Sequence, residues 1–422
     1  MGTGSGSRKL LEGRLMGMDG HGRKLGGTVE RFLMELSDAE LLALDLDQFC
    51  TNREGPEPCE GNDDHTSSRS TEACCTSQGT ADATCSGNEQ SSNQPSGSEH
   101  ESDPLSEGSS TKRRKRDGRI PLERFGRKHL SVTDLSRQAW CEQQVVYGME
   151  LPHIQQLREE VPVVKAGSSI HLARELEVHG IVPINVESRE DSWAVKILNL
   201  LSMIQFLQAG ERVRELPVFG EMEGIFLVGV IDELRYNSNG ELELCELKTR
   251  GQRTYPSAAQ RKSHHLQVSV YKLLFEAMMK GQLNKDTITH HLHLRTEHPF
   301  GSEVMVYAQN MGFTINTFGD LLDLMLLNLT YSEIPNVDTM KIEYCYQADA
   351  SVIGTEVVCF EEEWIKSELK HYCSFWKGQR EAKGVDIEEA WKCRSCDFGD
   401  ICEWRKSKAE EAAQNNRANQ SK

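Results

Sequence analysis

Ile225-Phe226-Leu227-Val228-Gly229-Val230-Ile231-Asp232-Glu233-Leu234, followed by Asn237-Ser238-Asn239-Gly240 and then Glu241-Leu242-Glu243-Leu244-Cys245-Glu246-Leu247-Lys248, is the most legible stretch of the chain. The first run is apolar enough for a buried strand, the second is rich in turn residues, and the third alternates like a strand returning along the first. A β-hairpin is therefore predicted. Side chains alternate faces along a strand, so Glu246 and Lys248 share a face with Leu242 and Leu244. With a three-residue loop, Ser238-Asn239-Gly240 with its glycine left-handed, Asn237 pairs with Glu241 and Asp232 falls opposite Glu246. A two- or four-residue loop instead sets Asp232 opposite Cys245 or Leu247.

Helical patterns flank the hairpin. One runs from Ala166 to Val178, opened by Gly167-Ser168-Ser169-Ile170-His171; a second runs from Glu190 to Leu207; a third runs from Ser257 to Met279, with Leu266, Val270, Leu273, Leu274 and Ala277 at helical spacing. The expected fold is α/β, a central mixed sheet flanked by helices, in one domain over residues 120–405. On it, Asp232, Glu246 and Lys248 converge. Two carboxylates close together on an apolar face repel each other and are costly to desolvate, and Mg²⁺ is the usual remedy. A lysine two residues from the second carboxylate can stabilise an attacking hydroxide or the charge on a pentavalent phosphate. His171 and Glu175 stand one helical turn apart, as do Gln267 and Tyr271.

The rest of the chain is uneven. Of 422 residues with formal net charge −17, residues 1–111 hold 8 Lys and Arg against 20 Asp and Glu, whereas residues 112–128 hold 9 against 2. That balance excludes a histone-like binder but allows a local basic channel. No apolar run approaches the roughly 18 residues of a membrane span, so a chain off the membrane is expected. Residues 50–111 carry too little apolar area to fold, and residues 1–111 are expected to be mostly disordered. Their exception is a short acidic amphipathic helix near 32–49, Ser37 capping with Glu40 at the third position. Lys112-Arg113-Arg114-Lys115-Arg116, within the linker 112–119, fits nuclear import. The nucleus is the expected compartment, the cytoplasm a second, and the cations of the first thirty residues leave a mitochondrial presequence open. Residues 406–422 are expected to be a flexible tail.

With no apolar secretory signal, the thirteen cysteines are not expected to form disulfides. Cys393, Cys396 and Cys402 form a C-x2-C-x5-C series whose thiolates can converge on one metal centre, with Cys141 the candidate for a fourth ligand. Zinc and a [4Fe-4S] cluster both accept four thiolates. Arg250, Arg253, Tyr255, Arg261 and Lys262, with His264 and His265, form a basic and aromatic stretch between the Glu-x-Lys strand and the Gln267 helix. Cations that track phosphates beside an aromatic that stacks on bases suit single-stranded nucleic acid.

The ordered series His171, Asp232, Glu246-Leu247-Lys248, Gln267-x-x-x-Tyr271 resembles the PD-(D/E)XK nucleases of the RecB/AddB type. That resemblance implies a PD-(D/E)XK core in which His171, Asp232, Glu246 and the Leu247 carbonyl bind Mg²⁺ or Mn²⁺. It also implies that Lys248 serves catalysis and that the Gln267 and Tyr271 helix supports DNA and site. One cysteine before the core and three after it resemble the iron–sulfur members of that group, which implies a [4Fe-4S] cluster on Cys141, Cys393, Cys396 and Cys402. Trp140-Cys141-Glu142, Gly229-Val230-Ile231-Asp232-Glu233-Leu234, Glu246-Leu247-Lys248-Thr249-Arg250 and Cys402-Glu403-Trp404-Arg405 are similar to the vertebrate exonuclease V family. The resemblance covers about Leu122 to Arg405. It implies a monomeric, single-strand-specific DNA exonuclease of repair and genome maintenance, working with single-stranded DNA and beside a single-strand-binding protein, its basic stretch helping to form a helical arch. Different readings of the same residues are a structure-specific endonuclease of this fold and a non-catalytic, cluster-containing DNA-binding protein.

Overall fold

The computed structural model describes residues 12–17, 118–159, 162–178 and 180–420. Apart from strand β1 (Glu12–Gly17), which pairs with β3 (Gly180–Asn185), the acidic segment 1–111 lies outside the described residues. So do its amphipathic stretch 32–49, its cysteines and the basic run 112–116.

The hairpin sits in the middle of the sheet. Strands β5 (Ile225–Tyr236) and β6 (Leu242–Arg250) pair antiparallel with Leu234 opposite Leu244. The Asn237 N–H donates to the Glu241 carbonyl (2.9 Å), the Gly240 N–H to the Asn237 carbonyl (3.0 Å), and Gly240 holds φ 79. This is the three-residue loop with its glycine in the left-handed region. Extended by one residue, the register sets Asp232 opposite Glu246, the arrangement that such a loop predicts.

The ladder, however, stops at Glu233 and Cys245. One edge of β5 is occupied by β4 (Val213–Met222) along most of its length. On the other edge β6 leaves after Glu233, and β2 (Leu130–Ser131) takes over in parallel at Leu227 and Val228. Asp232 therefore stands in the fork where β6 peels away from β5. Beyond β6, strand β7 (Thr339–Tyr346) adds in parallel and β8 (Val352–Val358) antiparallel, which makes the sheet mixed, as expected.

Helices cover it. After β2 come α1 (Val132–Arg137), α2 (Glu142–Glu150) and α3 (Pro162–Glu175), the last packing on β6. Helix α4 (Arg189–Gln208) presses Ile197, Leu198, Leu201 and Ile204, each at most 2% exposed, onto β4. Each such side chain contributes about 1.5–3 kcal/mol on burial. Helix α5 (Ala258–Met279), opened by a capping box of Ser257 and Gln260, follows β6 and packs on β4 through β7.

Two expectations need correction. Helix α3 starts at Pro162 rather than Ala166 and ends at Glu175, so Gly167 lies inside it and does not open it. Its glycine is required by proximity: a Cβ at Gly167 would meet Thr249 Oγ1 of β6 at 2.7 Å. The carboxyl end, expected to be a flexible tail over 406–422, is helix α7 (Glu403–Gln420), after α6 (Glu362–Trp376). Its Ala, Glu, Gln and Lys lack apolar periodicity but favour helix intrinsically.

Candidate active site

At the fork, burial and repulsion work on the same pair of carboxylates. Glu246 is 3% exposed, and Asp232 and Glu246 are both pushed well above the ordinary carboxylate range, in each case chiefly by burial; for Glu246 the neighbouring Asp232 charge adds to it. Lys248 Nζ donates to Glu246 Oε1 (2.7 Å) and to Gln267 Oε1 (2.8 Å), and Gln267 Nε2 donates to the Tyr271 hydroxyl (2.9 Å). Glu246 Oε2 is buried with no partner. A buried, unpaired carboxylate oxygen is expensive, and a cation is the partner that such a group suits.

The chain of contacts sorts the predicted residues. Lys248 reaches the site directly. Gln267 contacts Lys248, and Tyr271, 2% exposed, contacts Gln267, so the two support the lysine from the helix side. Gly229 makes room for that support, since a Cβ there would meet the Tyr271 ring at 2.5 Å.

The backbone contributes too. Asp232 Oδ2 accepts the Leu247 N–H at 2.6 Å. In a strand a residue's N–H and C=O point to the same side, so the Leu247 carbonyl also faces the fork, where β6 has no strand to pair with. His171, one turn from the end of α3, brings Nδ1 to 3.7 Å from Asp232 Oδ1, beyond hydrogen-bond length. Burial lowers its pKa to about 4 and leaves the neutral imidazole that ligation needs. These groups open onto a cavity of about 320 Å³ that also holds Arg174, Glu215 and Glu343.

Several residues of this cavity escaped the sequence reading, Arg174 and Glu215 among them. Arg174 pairs with Glu343 (2.5 Å) and helps to hold the Asp232 charge. Glu215 lies on β4 directly across β5 from Asp232, since Arg214 faces Glu233 and Leu216 faces Ile231. One oxygen of Glu215, one of Asp232 and a nitrogen of His171 lie within 4.8 Å of one another. Val213 to Phe219 carries Arg214 and Glu215 side by side, and its sequence neighbours do not mark Glu215 as a site residue.

The raised carboxyl pKa values set a pH dependence. A carboxyl that holds its proton more tightly when folded stabilises the cation-free protein at low pH and loses that contribution as pH rises from about 4 to about 7. A divalent cation reverses the sign, because it takes the place of the protons. Saturating Mg²⁺ should thus raise the unfolding temperature more at pH 8 than at pH 6. Calorimetry showing an equal rise at both would contradict the site.

The basic stretch is less free than its sequence implied. Residues 251–257 form a loop, and the remainder is the first two turns of α5. Arg253 binds Asp349 and Ser351 and lies over the Tyr346 ring; Arg261 pairs with Glu356 (3.5 Å) and Lys262 with Glu368 (3.2 Å). Arg250 ends β6, with its Nε buried and unpartnered, and Tyr255, 54% exposed, is the aromatic left for stacking.

At the opposite end of the sequence, four thiols gather. Cys141 precedes α2, Cys393 and Cys396 straddle the end of a 3-10 helix (Ile387–Ser395), and Cys402 precedes α7. Burial pushes the Cys141 thiol up to about 11, and the charges of Cys393, Cys396 and Cys402 all add to it. Neighbours pin the two ends together: Trp140 meets Trp391 edge to face at 5.6 Å, Lys392 Nζ lies 4.8 Å over Trp140, and Tyr147 stacks on Phe398 at 5.8 Å. Of the other described cysteines, Cys345 and Cys373 are buried as packing thiols should be, but Cys359 is exposed and Cys245 lines the cavity.

A family model described as exonuclease V, a 5′ deoxyribonuclease, matches residues 120–243, 237–318 and 307–405. A Danio rerio protein named Exonuclease V is 50% identical over 288 residues, which is 68% of this chain and 73% of that protein. The crystal structure of SSO0001 aligns over 65% of this chain and 86% of its own, at 14% identity and a TM-score of 0.34, too remote to bear on the argument.

Proposed function

Because the chain belongs to the exonuclease V family, we propose that it removes nucleotides from the 5′ end of single-stranded DNA by metal-dependent hydrolysis, on a PD-(D/E)XK core. One observation carries the chemistry: the half-buried Asp232 and the buried Glu246 come together at the strand fork, with Glu246 Oε2 unpartnered and Lys248 held beside it by Gln267. His171, Asp232, Glu246 and the Leu247 carbonyl suit Mg²⁺ or Mn²⁺, three oxygen donors with one imidazole nitrogen. Bound there, the cation supplies Lewis acidity and an ionised water at neutral pH.

The protein's own groups do the rest. Lys248 carries positive charge toward the phosphate oxygens. Gln267 and Tyr271 keep its ammonium from swinging, which limits the reorganisation needed at reaction. Arg250 and Tyr255, at the mouth of the same strand, suit a backbone phosphate and a stacked base of a single strand. Acting on DNA ends in repair, as a monomer beside a single-strand-binding protein, is the cellular role that fits. The test is digestion of end-labelled linear and circular single strands with and without Mg²⁺. The linear strand alone should be consumed, from its 5′ end. Cutting of the circle would make the enzyme an endonuclease.

The four cysteines support a [4Fe-4S] cluster on Cys141, Cys393, Cys396 and Cys402. A single tetrahedral zinc holds its sulfurs about 3.8 Å apart, given Zn–S bonds of about 2.3 Å. A [4Fe-4S] cluster takes four thiolates at a wider spacing, and one cysteine before the core with three after it is the layout that favours it here. The role is structural, since phosphodiester hydrolysis transfers no electrons. Nuclear import through residues 112–116 completes the reading: alanines there should move a tagged chain to the cytoplasm, and unchanged nuclear staining would refute it.

A further inference from the structure

We propose that Gly354, on strand β8, is a positioning residue for DNA: the space left by its missing side chain seats the hydroxyl end of Tyr255, and that seat fixes the ring on which a base of the single strand stacks. The inference rests on the reading of Tyr255 as a stacking residue and deepens it by naming what holds the ring. A Cβ at Gly354 would fall 1.7 Å from the Tyr255 hydroxyl oxygen and 2.7 Å from its Cζ. No side chain can share that space.

Nothing else in the strand requires glycine there. Gly354 does not hold a positive φ, so backbone conformation admits any residue. The register slips beside it, from Tyr344 opposite Gly354 to Cys345 opposite Val352, and Ile353 is the extra residue of that bulge. A bulge demands glycine only where one of its residues is left-handed, which Gly354 is not. Glycine inside a strand weakens it, and the close approach of another group is what such a residue commonly marks.

The ring is held at a second point. Tyr255 meets the Tyr344 ring at a steep angle with centroids 5.6 Å apart, and Tyr344 is itself fixed, fully buried with its hydroxyl donating to Glu356 Oε2 at 3.1 Å. Two strand residues thus locate a side chain that belongs to a loop. With both contacts made, Tyr255 is still more than half exposed, so ring surface is left for a base. Lys248, Tyr344 and Gly354 pair in one row across β6, β7 and β8. Two strand spacings, about 10 Å, separate the seat from the lysine's strand, so a base stacked there lies near the scissile phosphate.

The test is steady-state digestion of an end-labelled linear oligodeoxynucleotide by the full-length protein with Mg²⁺. Gly354→Ala should raise KM about tenfold, the cost of one lost base stack, with kcat within twofold and the unfolding temperature not lowered. Tyr255→Ala should raise KM to a similar degree, and adding Gly354→Ala to it should change nothing further, since the new methyl then meets no ring. Gly354→Ala combined with Tyr255→Phe, which takes away the atom nearest that methyl, should recover part of the loss, a result that a misfolded variant could not give. An unchanged KM in Gly354→Ala beside a raised KM in Tyr255→Ala would overturn the proposal and leave stacking standing. So would a Gly354→Ala effect that persists in full without the ring, or one that falls on kcat. An unchanged KM in Tyr255→Ala would instead refute the stacking itself.

Discussion

Asp232→Ala and Glu246→Ala should each lower Mg²⁺-dependent DNA hydrolysis by about 10³-fold or more, since a lost ligand forfeits several kcal/mol of transition-state stabilisation. Strand binding should survive, because neither side chain is placed to hold a phosphate. Nor should either variant unfold. The raised carboxyl pKa values mean that the ionised forms are a burden on the folded, cation-free state, so removing one relieves it. Lys248→Ala differs in kind. Turnover should fall with Mn²⁺ still bound, because the lysine contacts Glu246 and Gln267 and is not a ligand. Turnover within tenfold of wild type in Asp232→Ala or Glu246→Ala would remove the site from the fork, and loss of Mn²⁺ in Lys248→Ala would reassign the lysine.

Replacing Cys141, Cys393, Cys396 or Cys402 with serine should bleach a brown, anaerobically purified protein and lower its unfolding temperature by about 10 °C. A staple from Cys141 to Cys402 closes a loop of about 260 residues. By loop-closure entropy such a link is worth about 5 kcal/mol, and a domain of this size shifts by about 2 °C per kcal/mol. Activity should fall as a consequence, since β2 and α1, which flank the fork at Leu227 and Val228, belong to the stapled amino-terminal segment. Iron and zinc analysis decides the metal. Stoichiometric zinc without iron would overturn the cluster and keep the staple; an unchanged unfolding temperature in all four variants would overturn the staple as well.

How much of this was legible in the sequence depends on the range of the interaction concerned. The hairpin followed from local chemistry, and with a three-residue loop at Asn237 to Gly240 the side-chain alternation sets Asp232 opposite Glu246; the choice among two-, three- and four-residue loops was made only by the structure. Helices α4 and α5 were readable for the same reason, their apolar spacing and serine caps being contained within the segment itself. The error over helix α3 was also local in origin. Gly167 reads as a helix boundary, whereas its true constraint is Thr249, over eighty residues away.

Glu215 and Arg174 are the clearest limit. Nothing near Glu215 in sequence marks it, and its place in the cavity depends on which strand pairs with the far edge of β5 and on a left-handed residue within that strand. The sequence by itself determined the carboxylate pair, the lysine between strand and helix, and the cysteine series, because each is a pattern of a few residues read at the period of one element. Only the tertiary structure decided that β6 leaves β5 after Glu233 and opens the fork. It also brought His171 and Glu215 to Asp232 and set Cys141 beside Cys393, Cys396 and Cys402. Those juxtapositions arise from strand order and the packing of distant apolar faces, whose energy is non-directional and leaves no local mark on the residues that it brings together.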